Sequence, residues 1–195
     1  MENEIEGLLK RYGVLKQGHF KLTSGLHSAS YFEKFRILEH PDLVTLFAAR
    51  IARRFFDQRI TVVCGPTTGG IIIAFEVARQ MQTRCVIAEK NEAGGRKIGR
   101  GFQIGESDRI LVVDDVLTTG GSITETLEAL KAFPGQGELA HLAGIAVFID
   151  RSEKPPFALP HFAVYRQAVQ NFKPEECLLC RQGIPLSVSG STGKK

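Results

Sequence analysis

From residue 60 onward, runs of consecutive apolar residues alternate with polar, glycine-rich turns. "ITVVC", "RCVIAE", "RILVVDD" and "LAGIAVFID" are apolar and rich in β-branched residues, and "HFAVYR" continues the series as a fifth. A strand apolar at consecutive positions is covered on both faces, whereas a half-wet strand alternates. Helical segments lie between these runs. "IIIAFEVARQM" is apolar on nearly every side, which predicts a buried helix. Residues 122–132 place Ile123, Leu127 and Leu130 on one helical face. Covered strands alternating with helices predict an α/β fold, a central mostly parallel sheet flanked by helices.

The preceding part of the chain has a different pattern. Ile5, Leu8, Leu9 and Tyr12 recur at helical spacing and predict a short amphipathic helix over 2–12. "GHFKLTSGLHSASYFEKFRIL" is rich in Gly, Ser and aromatic residues and reads as short strands joined by turns. A second helix is expected from "HPDL", with Asp42 as its cap and Leu43, Leu46, Phe47, Ile51 and Phe55 on one face. The closing "SVSGSTGKK", residues 187–195, has nothing to bury and is expected to be a mobile tail.

Composition narrows the class. The chain has 195 residues, 43% hydrophobic and 24% charged, the balance of one ordinary globular domain. A net charge of +4 suits an anionic small molecule and is too small to argue for nucleic acid. No apolar run reaches membrane length, and the acidic start "MENEIEGLLK" is no signal peptide. Cys64 and Cys85 sit in apolar strand-like runs, so a disulfide framework is not expected and the reading is a cytoplasmic protein.

Three polar loops leave the carboxyl ends of expected strands, at 65–70, 90–100 and 114–122. In an open parallel sheet that is where ligands bind. The third loop is the most informative. Two ionised carboxylates, Asp114 and Asp115, have no donors and call for hydroxyl groups or a cation. Gly120 and Gly121 let the backbone approach a ligand, and Thr118, Thr119 and Ser122 supply hydroxyls where a helix N-terminus favours an anion. A ribose carrying a 5′-phosphate offers both partners. Ser122 and Glu125 also fit a capping box, but that accounts for neither the carboxylates nor the threonines and glycines. "GPTTGGI" lacks the Lys-Ser/Thr ending of a P-loop. The acidic strand end of phosphorelay receivers also differs, because it follows the first strand.

"VVDDVLTTGGS" resembles the phosphoribosyl-pyrophosphate (PRPP) motif of type I phosphoribosyltransferases. The resemblance implies that fold, with a small N-terminal hood of about 13–36 and a core of about 40–170 in a single domain over 1–186. It implies that Asp114 and Asp115 take the ribose hydroxyls, directly or through Mg²⁺. Val116, Leu117, Thr118, Thr119, Gly120, Gly121 and Ser122 then form the loop around the 5′-phosphate. "CGPTTGG" resembles the pyrophosphate-binding loop, bringing in Pro66, Thr67, Thr68 and Gly69. Residues 90–100 resemble the mobile loop that closes over the site, with Lys90 in a catalytic role and Arg100 on PRPP. In many members that loop completes the partner subunit's site, which implies a homodimer.

The segment "GHFKLTSGLHSASYF" is similar to the hood of orotate phosphoribosyltransferases, where G-x-F-x-L-x-S-G-x-x-S is typical. "FIDR" resembles the place where that family presents an arginine to orotate, here Arg151, and Thr119, Tyr31 and Phe32 join it as orotate contacts. A core role for Tyr31 and Phe32 is an equal alternative. The implied reaction transfers the 5-phosphoribosyl group from PRPP to orotate. A purine phosphoribosyltransferase and a nucleotide-sensing regulator are the rivals. The chain departs from the better-known orotate enzymes at Thr23 and Gly69, where they carry lysines, and it lacks a Lys-x-His pair in 90–100. Lys34, Arg36, Lys90, Arg96, Lys97 and Arg100 are the cations available instead.

Cys177 and Cys180 have a spacing that suits half a zinc site or a redox pair. His161 is the only histidine near them in sequence and belongs to a strand, so the favoured reading is a structural turn or two buried thiols. His27, in the hood, is a candidate contact to the base or a packing residue.

Overall fold

The computed structural model describes residues 2–22, 24–134, 141–154, 157–167 and 171–187. By contacts the chain divides into two compact units, one of residues 40–166 and one made from 1–39 together with 167–195.

The larger unit holds helix α3 (Pro41–Arg54) and a six-stranded sheet with its helices. The strands are β3 (Val62–Pro66), β4 (Arg84–Lys90), β5 (Arg96–Ile98), β6 (Ile110–Leu117), β7 (Leu142–Asp150) and β8 (His161–Arg166), in the order β5-β4-β3-β6-β7-β8. All neighbours are parallel except β5, which runs antiparallel to β4 at the edge. The continuous apolar runs are therefore strands covered on both sides. Residues of β3, β4, β6 and β7 form one buried cluster with Ile123, Leu127 and Leu130 of helix α5 (Gly121–Lys131). On the other side, Phe47 of α3 meets Phe148 of β7 edge to face at 5.3 Å.

The chain leaves β3 through helix α4 (Gly69–Met81) to reach β4 on one side, and later returns to place β6 on the other side of β3. The strand order thus reverses between β3 and β6. At such a switch point the loops following the two strands diverge and leave a crevice at their carboxyl ends.

Two helical expectations need correction. α3 starts one residue before Asp42: His40 is the cap residue, Pro41 fills the first helical position, and no side-chain cap bond forms. Proline suits that position because its missing N–H would have no helical partner there. α4 is also not buried all round. Ile72 and Phe75 are 44% and 61% exposed, and Leu46 on neighbouring α3 is 40% exposed. The opposite face of α4 lies on the sheet, so its uniform hydrophobicity conceals two different environments. α3 and α4 are tied at Glu76, which accepts hydrogen bonds from Arg79, Gln80 and Thr45. The Arg79 bonds in particular hold the Glu76 carboxyl down at about 2.

The smaller unit contains helix α1 (Glu2–Arg11) and an antiparallel sheet of β1 (Leu15–Lys21), β2 (His27–Phe32) and β9 (Asn171–Phe172), in the order β1-β2-β9. Two short helices, α2 (Phe35–Leu38) and α6 (Leu178–Arg181), complete it. The expected strand-turn character of the front segment holds, and the hood strands gain a partner from residues far along the chain. Of the sequence expectations, Thr23 and residues 188–195 of the tail lie outside the described residues. Ser187 donates its N–H to the His19 carbonyl at 2.6 Å.

Candidate active site

β6 carries Asp114 and Asp115 to the switch point, where both side chains are almost completely buried. Asp114 Oδ1 accepts the Asp115 N–H at 2.8 Å, and Asp115 Oδ1 accepts the Val116 N–H at 2.7 Å. These bonds fix each carboxylate against its own backbone. Leu117 points into the core cluster, so it can serve a ligand only through its main chain. Thr118 and Thr119 are exposed. Gly120 then takes a left-handed φ of 83°, and its carbonyl accepts the Thr124 N–H at 2.8 Å. The chain enters α5 at that point, with the N–H groups of the first turn directed at the threonine loop. A helix start of this kind favours a phosphate.

The turn after β3 comes close against this loop. It contains a cis peptide between Thr67 and Thr68. A Cβ on Gly69 would fall on Asp115 Oδ2, and one on Gly70 would lie 2.6 Å from Pro66 and 3.2 Å from Asp114 Oδ1. These glycines are what allow the two loops to touch. The same contact explains the departure noted at Gly69: a lysine there has no room for its first carbon.

Arg96 supplies positive charge from another direction. Its side chain is only 5% exposed. One guanidinium nitrogen donates to Thr67 Oγ1 at 3.1 Å and to the carbonyls of Thr67 and Ala88, while the other donates to Ser122 Oγ at 2.9 Å. Its Nε lies 3.4 Å from Glu125 Oε2. Arg96 therefore joins the turn after β3 to the loop after β6. Ser122 and Glu125 form no capping box, since Gly120 is the cap residue and both side chains face Arg96 instead.

Residues 90–100 form a hairpin with β4 and β5 as its arms, in the pairs Ala88–Ile98, Glu89–Lys97 and Lys90–Arg96. Asn91, Gly94 and Gly95 close it, with the Asn91 N–H bonded to Gly95 O at 3.0 Å and both glycines at positive φ. The polar, glycine-rich composition predicts a loop, and the structure has a tight turn between two paired strands. Lys90 is exposed at the end of β4. Arg100, at a left-handed φ of 56°, pairs with Glu89 at 2.7 Å, and that bond raises the arginine and lowers the carboxyl.

Arg151 follows β7 and donates its N–H to Leu117 O at 2.8 Å, so its backbone stands beside the end of β6. Its neighbour Asp150 is fully buried and accepts from Ser152 and from Arg166, with His161 close by. Asp150 thus anchors the strand end from which Arg151 departs. Tyr31 and Phe32 are buried in the smaller unit, where Tyr31 packs on Phe20 at 5.5 Å between ring centroids. The larger unit thus brings together Asp114, Asp115, the 118–122 loop, Pro66, Thr67 and Gly69. Arg96 is the residue that sequence reasoning undervalued. Its signal was a cation at the edge of a glycine-rich loop, which looks the same as a solvated one.

Comparison with known proteins gives the family. The Phosphoribosyl transferase domain profile matches residues 36–174. An orotate phosphoribosyltransferase of Chlorobaculum parvum is 42% identical over 97% of this chain and 95% of its own. One from Caldicellulosiruptor bescii is 41% identical over 96% of each. The crystal structure of the orotate phosphoribosyltransferase from Aeropyrum pernix superposes with a TM-score of 0.69 at 22% identity, covering 83% of this chain and 93% of that one. The chain belongs to the orotate phosphoribosyltransferase family.

Proposed function

We propose that the protein transfers the 5-phosphoribosyl group from PRPP to N1 of orotate, giving orotidine 5′-monophosphate and pyrophosphate. The observation that carries the donor half is the pair of buried carboxylates beside a helix-start phosphate loop at the strand switch. The acceptor half is supported by relatives about 40% identical along nearly the whole chain.

Asp114 and Asp115 hold the ribose hydroxyls, and Thr118 to Ser122 hold the 5′-phosphate. The turn at Pro66, Thr67, Thr68 and Gly69 receives the pyrophosphate through its backbone, with Arg96 behind it for charge. Arg151 pairs with the orotate carboxylate, and Thr119 borders the base. As the glycosidic bond breaks, the ribose acquires oxocarbenium character and the leaving group acquires charge. Catalysis then rests on positioning and on fixed countercharge, with no side-chain nucleophile. Lys90 and Arg100, on the hairpin flank, add positive charge as the site closes and water is excluded.

Two adjacent carboxylates on a fixed strand end have the hard oxygen chemistry that suits Mg²⁺. The ion, when bound with PRPP, neutralises the departing pyrophosphate. Ile72, Phe75 and Leu46, exposed on neighbouring helices, support a homodimer. No described helix is long and apolar enough to cross a membrane, and we place the enzyme in the cytoplasm.

Pyrophosphate release measured with PRPP, Mg²⁺ and separately orotate, uracil, adenine, hypoxanthine or xanthine tests the proposal. Turnover with orotate alone is expected. Turnover with a purine alone would overturn the acceptor, and turnover with none would point to a regulator.

A further inference from the structure

His19, His27, Cys177 and Cys180 meet within the smaller unit, although up to 161 residues separate them in sequence. Each offers one ligand atom, and these atoms all lie within 4.8 Å of one another. His19 Nε2 is 2.9 Å from His27 Nδ1, 3.5 Å from Cys177 Sγ and 3.6 Å from Cys180 Sγ. Cys180 Sγ is 3.2 Å from His27 Nδ1. In a tetrahedral Cys₂His₂ zinc site the expected spacings are about 3.3 Å between nitrogens and about 3.6 Å between sulfur and nitrogen. These four distances lie within about half an ångström of those values, and the remaining pairs lie within 4.8 Å, close enough for a small inward movement of the ligands to complete the tetrahedron.

Hydrogen bonding alone does not explain the convergence. His19 Nδ1 is 2.7 Å from the Ile184 carbonyl, which accepts only, so Nδ1 carries a proton and, in the neutral ring, Nε2 holds the lone pair. Three groups approach that single lone pair, and one hydrogen can use it. A cation at the common centre serves all four ligand atoms at once. The Ile184 carbonyl then has the familiar second role of orienting a metal-binding imidazole.

The backbone is arranged for this meeting. The β1–β2 register slips between Gln17 and Phe20, a bulge that buries the consecutive residues His19 and Phe20. A bulge re-aims a side chain, and here it turns His19 toward His27. Cys177 and Cys180 stand a helical turn apart at α6. Three of the four are buried, and Cys180 is at the surface, which leaves an entry path.

We propose that His19, His27, Cys177 and Cys180 bind a structural Zn²⁺ ion. Four protein ligands close the tetrahedron and leave no position for substrate, so the ion fastens the segment around α6 to the β1–β2 hairpin. Both thiols lose their protons as the metal binds.

The test is the metal content of the full chain, purified from zinc-supplemented cells without chelator or histidine tag. About one zinc per chain is expected. Cys180→Ser and His27→Ala should each retain at least about tenfold less, while Cys85→Ser, outside the cluster, keeps its zinc. Replacing zinc by Co²⁺ should give the intense visible bands of a tetrahedral thiolate site. These measurements on the unaltered chain decide the matter even if a ligand variant fails to fold. A reduced chain that takes up neither Zn²⁺ nor Co²⁺ would overturn the proposal. So would full zinc retention in the Cys177→Ser, Cys180→Ser double variant, or a Cys177–Cys180 disulfide in protein alkylated at lysis.

Discussion

The strand-end site and the histidine–cysteine cluster both gather polar side chains, and they are built in opposite ways. At the strand end, Asp114 to Ser122 are consecutive, and the backbone positions them through one strand, one left-handed glycine and one helix start. In the cluster, ligands come from β1, β2 and the region of α6, and no single local conformation brings all four together. The first arrangement exists before any ligand arrives, because the scaffold has already spent the entropy. The second depends on its ligand atoms being tied to something. Damage to the first should therefore appear mainly in chemistry, and damage to the second mainly in stability.

Several substitutions can break that contrast. Asp115→Asn keeps shape and removes charge, and should lower turnover about 100- to 1,000-fold with little change in melting temperature. Gly69→Ala should approach the same loss by pushing its new carbon into Asp115. Activity near that of the parent in either variant would remove the strand-end site from the reaction. Stripping zinc with a chelator is expected to cost about 3 kcal/mol, a fall of roughly 6–12 °C in melting temperature. An unchanged melting curve would mean that the cluster does not stabilise the unit.

Arg96→Met removes the bridge between Thr67 and Ser122, and should raise the KM for PRPP about tenfold or more. A change confined to the KM for orotate would contradict its position. The smallest effect concerns Glu76, outside both regions. Its carboxyl is held at about 2, below its ordinary value, so the unfolded state binds a proton more readily than the folded one. The resulting stability is fully present above about pH 4.5 and disappears as pH falls toward 2. Glu76→Gln should cost about 1–2 kcal/mol at pH 7, reduced because Arg79 is largely exposed, and the gap should close in acid urea melts. A gap independent of pH would show that packing, and not charge, is responsible.

Sequence legibility followed the same division. The parallel sheet was readable because β3, β4, β6 and β7 are covered on both faces and so carry unbroken apolar runs. The carboxylate loop was readable because its parts are adjacent and chemically unusual together. The hairpin at 90–100 was missed because a turn rich in Gly and Asn looks alike whether strands or coil flank it. α4 misled because hydrophobicity shows that Ile72 and Phe75 prefer burial without showing what buries them. His19 and His27 occupy unspecified positions of the hood motif, G-x-F-x-L-x-S-G-x-x-S, so the motif carries no sign of them. His161 is the histidine nearest to the two cysteines in sequence, yet it sits beside Asp150 and Arg166. Proximity along the chain is a poor guide once a sheet such as β1-β2-β9 joins distant segments.

That three-stranded sheet also sets an order of events. The β1–β2 hairpin leaves the ribosome first, yet β9 and α6 arrive only after the whole larger unit has been synthesised. The early hairpin must wait with two histidines already in place and no thiol to meet them. The catalytic core can therefore fold first, and the smaller unit matures last, when Cys177 and Cys180 emerge.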